Sequence, residues 1–153
     1  MKALRNAFGQ FATGVCVVSA VNTDGRAIGI TINSFGSVSL DPALALWSIQ
    51  NSSDLFEFWT GTKKYAINIL ASDQQAISGQ CAKPGQHGLQ SDQVAMSEDG
   101  IPLVIGALAS FEMTLEQVVP AGDHHLILGT IDKYQVNDAL SPLVFHKGQY
   151  HTL

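Results

Sequence analysis

Short runs of apolar residues alternate with polar, turn-forming residues along most of the chain, a pattern that predicts β-strands. Runs rich in β-branched and aromatic residues and bounded by Gly, Pro, Asn, Asp or Ser are typical of strands. The predicted strands are residues 15–21, 27–33, 43–49, 65–70, 103–115, 125–136, 143–146 and 149–152. Because residues 22–25 (NTDG) have strong turn chemistry, the first two strands are predicted to form a hairpin.

Helical periodicity is confined to three short segments. Apolar side chains recur every three or four positions over residues 2–11, which predicts an amphipathic helix that ends at Thr13-Gly14. A second helix of about two turns is predicted after residues 51–54, which offer several N-cap side chains. A third is predicted over residues 73–81, and the polar, Gly-rich residues 82–100 are predicted to form a long surface or active-site loop.

The order of these elements favours an antiparallel sheet that closes on itself. Strands that follow one another through hairpins, rather than through long helices, are typical of antiparallel barrels. A chain of 153 residues has the length of one domain, and no repeat or linker divides it. The predicted fold is therefore mainly β, a single-domain barrel over residues 1–153 with a few short helices.

Charge is scarce along the chain. Eight Lys and Arg stand against 13 Asp and Glu, the net charge is −5, and no basic stripe is present. We therefore expect no nucleic-acid partner. Charged residues make up 14% of the chain, below the roughly 25% of typical soluble domains, which indicates a buried subunit interface.

The sequence predicts a cytoplasmic protein without a membrane partner. The N-terminal residues lack the continuous apolar region of a signal peptide, and no run approaches the roughly 18 apolar residues that span a bilayer. Cys16 and Cys81 are too few and too far apart for a disulfide framework or a Cys-x-x-Cys metal site. We expect both to be small hydrophobic residues.

Strong catalytic motifs are absent from the sequence. It contains no dinucleotide-binding glycine motif, Walker loop, zinc-protease motif or Gly-x-Ser-x-Gly. His124 and His125 are adjacent at a strand, so they should point to opposite faces, and no metal site is expected. Ser34, His124 and Asp123 could form a hydrolase triad, but the neighbouring side chains of Asp123 and His124 should diverge.

Residues 29–41 carry a row of small polar side chains. In one extended strand, Thr31, Asn33, Phe35, Ser37 and Ser39 would share one face, and Ile30, Ile32, Ser34 and Val38 the other. Such a row suits a polyhydroxylated ligand, because each ligand hydroxyl needs a partner once it leaves water. Alternatively, these side chains cap loops and face solvent; this segment alone does not decide between the two.

Residues 48–53 (SIQNSS) lead from a strand end into a predicted helix N-terminus rich in hydroxyls. Backbone N–H groups, the helix dipole and serine hydroxyls can together hold a phosphate there. Hydroxyl partners on one strand and a phosphate site on the next segment together describe an FMN site better than either does alone.

Several runs then resemble the flavin reductase-like family in order along nearly the whole chain. They are FATGV at 11–15, GITINSFGSVSLDP at 29–42, AINILA at 66–71, GDH at 122–124, PLVF at 142–145 and GQY at 148–150. The resemblance implies an antiparallel FMN-binding split β-barrel that forms homodimers. It also implies reduction of FMN or FAD with NADH or NADPH, often for a separate monooxygenase.

The resemblance also implies roles for individual residues. Flavin contacts would come from Thr31, Asn33 and Ser34, and ribityl and phosphate contacts from Ser48, Gln50, Ser52 and Ser53. Lys83 would be the cation at the phosphate, and His124 would lie where the nicotinamide stacks; Tyr150 is a further cofactor-binding candidate. The loop at 83–92 lacks the arginine expected near His87. This departure motivates an alternative, a non-catalytic split barrel that binds flavin or haem.

Overall fold

The computed structural model describes residues 1–153, which form a mainly β protein with three short helices. The strands are β1 (Thr13–Gly14), β2 (Cys16–Val21), β3 (Ala27–Ile32), β4 (Gly36–Leu40), β5 (Ala43–Gln50), β6 (Lys64–Ile69), β7 (Val94–Met96), β8 (Pro102–Val104), β9 (Ala109–Ala121), β10 (His124–Val136), β11 (Leu143–His146) and β12 (Gln149–Thr152). The helices are α1 (Lys2–Phe8), α2 (Phe56–Gly61) and α3 (Gln75–Ala82). None of the helices combines the length and apolar character that crossing a lipid bilayer requires.

A seven-stranded antiparallel sheet, in the order β3-β2-β6-β9-β10-β5-β4, forms the body of the protein. Its edge strands β3 and β4 are consecutive in the chain and are joined only by residues 33–35. A connection of this length spans at most about 14 Å, whereas the edges of a flat seven-stranded sheet would lie about 29 Å apart. The sheet therefore curls until its edges approach each other, and the predicted mainly β split barrel is confirmed.

Two smaller sheets complete the fold. The hairpin of β11 and β12 pairs with β1, and β7 pairs with β8. The bounds predicted for the last two strands and the hairpin around residues 22–25 are confirmed. The predicted loop at 82–100 is partly wrong, because it contains β7.

Two predicted strand boundaries are wrong because a glycine with positive φ interrupts or ends the strand. The strand predicted over 103–115 is two strands, because Gly106 has φ +84° between β8 and β9 and an extended strand cannot continue through that conformation. The connection between the strands predicted over 103–115 and 125–136 is only a two-residue turn, Gly122-Asp123, in which Gly122 has φ +66°.

The single strand predicted across residues 29–41 is also wrong. The chain leaves β3 after Ile32 and enters β4 at Gly36, because it crosses there from one sheet edge to the other. Strict alternation of faces is therefore lost, and Ile30, Thr31 and Ser34 all reach the same cavity.

Helix α1 differs from the amphipathic helix predicted over 2–11. It is shorter, and none of its residues is buried. Phe8 is 72% exposed, and Phe11, just beyond the helix, is 78% exposed. The predicted apolar side chains are present at the predicted spacing, but no other part of the chain covers them.

The barrel interior is filled by aromatic side chains. Trp47, Trp59 and Tyr65 are fully buried, and Trp47 meets each of the other two edge to face. Gly129 on β10 lies against Tyr65, since a Cβ atom at this position would overlap the Tyr65 hydroxyl. A second apolar cluster packs α3 against β2 and the C-terminal hairpin.

A buried polar network joins four strands on the other side of the sheet. The Nδ2 of Asn68 donates to the Val17 carbonyl oxygen at 2.9 Å and to Ser19 Oγ at 2.8 Å. Its Oδ1 accepts from the Val104 N–H at 3.0 Å and from Ser110 Oγ at 2.7 Å. Asn68 thereby ties β6 to β2, β8 and β9 through its side chain.

Candidate functional site

A cavity of about 560 Å³ opens between β3, the end of β5 and the residues after α3. This volume lies within the roughly 300–1,000 Å³ typical of small-molecule sites. Its lining residues are Ile30, Thr31, Ile32, Asn33, Ser34, Ser48, Ile49, Gln50, Ser52, Ser53, Asp54, Cys81, Ala82, Pro84, His87 and His124. Eight of the ten predicted site residues are among them, so segments far apart in sequence meet at one cavity.

The Ser34 hydroxyl ties the two sides of the barrel opening together. It accepts from the Ser48 N–H at 3.0 Å and lies 3.3 Å from the Ser48 carbonyl oxygen, to which it donates. Both hydrogen-bonding directions of this hydroxyl therefore serve the fold. Ser34 shapes the cavity, and its hydroxyl is not free to act as the nucleophile of a triad.

Tyr150 lies behind the cavity wall. The Thr31 hydroxyl donates to the Ser78 carbonyl oxygen at 2.6 Å, and Ser78 Oγ is 2.6 Å from the Tyr150 hydroxyl. Ser78 is on α3, so this chain of contacts runs from the C-terminal hairpin through the helix to β3. Tyr150 does not line the cavity, whereas Thr31 does.

Ser52 and Ser53 line the cavity from a turn that precedes α2. The expectation that residues 51–54 cap this helix is wrong, because the N-cap is Leu55 and no side chain caps it. Ser53 Oγ instead accepts from the Leu55 N–H at 3.3 Å. The helix N-terminus is therefore removed from the two serines, and an anion here would depend on the turn.

His124 enters the cavity from the start of β10. Its Nδ1 lies 2.6 Å from Asp123 Oδ1, so the expectation that these neighbouring side chains diverge is wrong. The tight turn at Gly122 brings them together. The hydrogen bond from His124 and the attraction of its ring lower the pKa of Asp123 below its usual value.

Asn51 holds the turn that carries His124. Its N–H donates to the Asp123 carbonyl oxygen at 2.9 Å, and its Nδ2 donates to the Gly122 carbonyl oxygen at 3.2 Å. Its Oδ1 lies 2.7 Å from Nδ1 of His125, whose ring meets Phe56 edge to face. The two adjacent histidines thus have different partners.

Asp54 and His87 form a part of the cavity wall that the sequence did not predict. His87 is buried, and its Nε2 lies 3.0 Å from Asp54 Oδ1, while Asp54 Oδ2 accepts from the Gly85 N–H at 2.9 Å. Burial alone would raise the pKa of Asp54, but the hydrogen bonds from Gly85 and His87 and the attraction of His87 lower it below its usual value. The sequence predicts Asp54 only as one of several candidate caps of the second helix.

The loop that carries His87 docks along the edge strand β3. The Gly29 N–H donates to the His87 carbonyl oxygen at 2.8 Å, and the Leu89 N–H donates to the Ala27 carbonyl oxygen at 2.9 Å. Gly29 permits this close approach, since a Cβ atom there would lie 2.8 Å from Val17 Cγ1 and 3.2 Å from Leu89 Cδ1. The loop therefore extends the sheet by a short irregular segment.

The remaining predicted residue, Lys83, follows directly after α3 and is exposed. Its neighbours Ala82 and Pro84 line the cavity, but Lys83 does not. Cys81 also faces the cavity, and burial raises its pKa to about 11. Burial likewise raises the pKa of Cys16 to about 12, so both thiols are protonated at neutral pH and behave as the small apolar residues expected.

The sequence as a whole matches a known family. The model of the flavin reductase like domain matches residues 8–153, which include every residue that lines the cavity. The chain belongs to the flavin reductase-like family.

Individual members of the family align over nearly the full chain. The reductase component of a flavin-dependent trigonelline monooxygenase from Acinetobacter baylyi is 40% identical over 152 residues, which are 99% of this chain and 49% of that protein. The NADH-dependent FMN reductase SmoA from Agrobacterium fabrum is 38% identical over 149 residues, 97% of this chain and 84% of that protein. The chain spans about half the length of some curated relatives.

The fold is shared with solved flavin reductases. BorF, the flavin reductase component of a bacterial two-component tryptophan halogenase, is 32% identical and superposes with a TM-score of 0.91, covering 99% of this chain and 97% of BorF. This chain therefore shares its antiparallel barrel with a solved flavin reductase.

Proposed function

We propose that this protein reduces FMN or FAD by hydride transfer from NADH or NADPH. The single observation that carries the proposal is the cavity at the barrel opening, which gathers hydroxyl and amide side chains from two segments of the chain. Family relatives named as NADH-dependent flavin reductases support it. We further propose that the reduced flavin serves a separate monooxygenase, as relatives named as flavin reductases of trigonelline and styrene monooxygenases suggest. We also propose that the protein works in the cytoplasm, as its sequence predicts.

The residues of the cavity fit a flavin. Asn33, Ser48 and Gln50 line the cavity and offer donors and acceptors to a polyhydroxylated chain, and we propose that Ser52 and Ser53 hold the phosphate. Thr31 and Ser34 hold the wall on which these groups are mounted. We propose that Lys83 is the cation near the phosphate. We propose that Tyr150 contributes to cofactor binding from behind the cavity wall, through Ser78 and Thr31.

The protein's contribution to the reaction is to bind and orient. When both cofactors are bound, the nicotinamide supplies the hydride and the flavin accepts it. Correct placement of two reactants can supply roughly 7–11 kcal/mol of the barrier, so no acid–base pair is required of the chain. His124, held by Asp123 at the mouth of the cavity, is the side chain we propose to contact the nicotinamide nucleotide.

The direct test is the loss of reduced-nicotinamide absorbance with purified protein. NADH and NADPH are each tested against FMN, FAD and riboflavin. Flavin-dependent turnover with one nicotinamide is the expected result. Yellow protein without turnover would instead favour the non-catalytic flavin-binding alternative, and colourless protein without turnover would contradict both.

Replacing His124 is expected to weaken the use of the nicotinamide nucleotide. In His124→Ala, kcat/KM for the nicotinamide should fall about tenfold or more, the effect of one lost hydrogen bond to a charged partner. The Kd for flavin, measured by fluorescence quenching, should change much less. The matched control is His151→Ala, an exposed histidine on β12. An equal loss of flavin affinity would show that His124 has a different role.

We also propose that the protein is a homodimer. The exposed Phe8 and Phe11 form an apolar surface at the N-terminus, and a second cavity of about 500 Å³, lined in part by Phe11 and Phe35, shares Asn33 and Ser34 with the flavin cavity. A second copy seated there would cover apolar side chains and adjoin the flavin cavity.

The dimer is tested by light scattering of the purified protein. Wild type should have twice the mass of one chain, and the Phe8→Ser/Phe11→Ser variant should dissociate at micromolar concentration. Met96→Ser, which removes another exposed apolar side chain, should leave the mass unchanged. A monomeric wild-type protein would refute the proposal.

A further inference from the structure

Each ring nitrogen of His87 faces an oxygen that can only accept a hydrogen bond. Nδ1 lies 3.1 Å from the Gly29 carbonyl oxygen, and Nε2 lies 3.0 Å from Asp54 Oδ1. A neutral imidazole carries one N–H, whereas an imidazolium carries two. Only the doubly protonated ring can donate to both oxygens. Because His87 is 8% exposed, water cannot readily replace either partner.

The two partners of His87 belong to different parts of the site. Gly29 is on the edge strand β3, and Asp54 is in the turn before α2. Asp54 also accepts from the Gly85 N–H, so it binds the loop at two points. This contact fixes the segment that contributes Ala82 and Pro84 to the cavity wall.

We propose that His87 and Asp54 form a charged clamp that holds the 83–92 loop in place as one wall of the flavin cavity. His87 is thus a positioning residue, and in its doubly protonated form it places a cation in the 83–92 loop. The clamp itself follows from the geometry of this chain, whereas the identity of the ligand rests on the proposed function.

The surroundings of His87 determine how the clamp responds to pH. His87 lines the flavin cavity and also a neighbouring cavity between the β2–β3 turn, α2 and the 83–92 loop. Besides Asp54, the charged or titratable groups that line or adjoin these two cavities are Asp24, Arg26, Glu57, Cys81, Lys83 and His124. None of them is hydrogen-bonded to the His87 ring, whose partners are Asp54 and Gly29. Loss of one proton from His87 removes one of its two hydrogen bonds and its attraction to Asp54. Docking of the loop should therefore weaken as the pH rises.

Amide hydrogen exchange tests the clamp without any ligand. The Gly29 and Leu89 amides donate across the contact between loop and strand, so they report on docking. After correction for intrinsic exchange, their protection should fall about tenfold between about pH 5 and pH 8, the range in which histidine changes charge. NMR of the ring nitrogens, assigned with His87→Gln, should show two N–H groups at the lower pH.

Two variants separate the clamp from general effects of charge. Asp54→Asn keeps an oxygen for the Gly85 N–H and turns its Nδ2 donor toward Nε2 of His87, which a neutral ring can accept, so protection should no longer fall as the pH rises. Glu57→Gln removes an acid that lines only the neighbouring cavity and should behave as wild type. Protection that does not depend on pH in wild type, or a ring with one N–H at every pH, would overturn the clamp.

Riboflavin binding tests the role of the clamp at the cavity, because riboflavin has no phosphate that titrates. Its Kd should rise about five- to tenfold over the same pH range in wild type and should not rise in Asp54→Asn. A loop that loosens while riboflavin affinity stays constant would overturn the assignment of His87 as a positioning residue. Absence of riboflavin binding at every pH would contradict the proposed function, while the exchange data would still decide the clamp.

Discussion

Asn68→Ala is expected to lower the free energy of unfolding by about 3–5 kcal/mol. The Asn68 side chain makes hydrogen bonds to Val17, Ser19, Val104 and Ser110, all in a fully buried environment. Truncation leaves buried donors and acceptors without partners, and each such group costs about 1–3 kcal/mol. Some relaxation and entry of water would keep the total below the simple sum.

Urea unfolding followed by far-UV circular dichroism measures this loss. Asn137→Ala is the matched control, because Asn137 is exposed and its side chain accepts only from the Ala139 N–H at 3.3 Å. That control should change the stability by less than about 0.5 kcal/mol. A similarly small change in Asn68→Ala would contradict the idea that this side chain holds β8 to the barrel.

Gly129→Ala is expected to cost about 2–3 kcal/mol, because it adds a methyl group to a filled interior. The new Cβ would overlap the Tyr65 hydroxyl and would lie 3.0 Å from Met113 Cε and 3.1 Å from the Thr114 carbonyl oxygen. Tyr65 and Met113 are fully buried. Neither the aromatic ring nor the strand backbone can move without disturbing its own neighbours.

Removal of the Tyr65 hydroxyl should restore much of this loss. The hydroxyl has no hydrogen-bond partner, so Tyr65→Phe alone should cost little, and the double variant should be clearly more stable than Gly129→Ala. Gly14→Ala is the control, because a Cβ there meets nothing within 4 Å. Additive effects of the two barrel substitutions in thermal unfolding would argue against a direct clash.

Most of the strands could be predicted from local patterns, because each is a short apolar run bounded by turn residues. Their pairing could be predicted only for hairpins, since β2–β6, β6–β9 and β5–β10 join strands far apart in the chain. The break at residues 33–35 could not be predicted, because the residues on both sides of it have the pattern of one continuous strand. The break arises only when the sheet closes. Helix α1 was predicted, but its exposure was not. Apolar periodicity shows that a helix has an apolar face, but it does not show whether that face packs against the same chain or against another one.

The cavity was predicted only in part, because local sequence patterns reveal continuous segments but not contacts between distant ones. The hydroxyl-bearing segments at 29–34 and 48–53 are short and continuous, so composition alone marked them. His87 and Asp54 are 33 positions apart and meet only because the loop docks against Gly29. The Asp123–His124 contact was missed because a tight turn, set by one glycine, changed the direction of adjacent side chains.

The docked loop also protects the protein from self-association through its sheet. β3 is an edge strand, and a bare edge offers unpaired N–H and C=O groups to any other extended chain. The backbone contacts of Gly29 and Ala27 with the loop occupy two of these groups. Variants that release the loop should consequently aggregate more readily, so loss of soluble protein and loss of ligand affinity have to be measured separately.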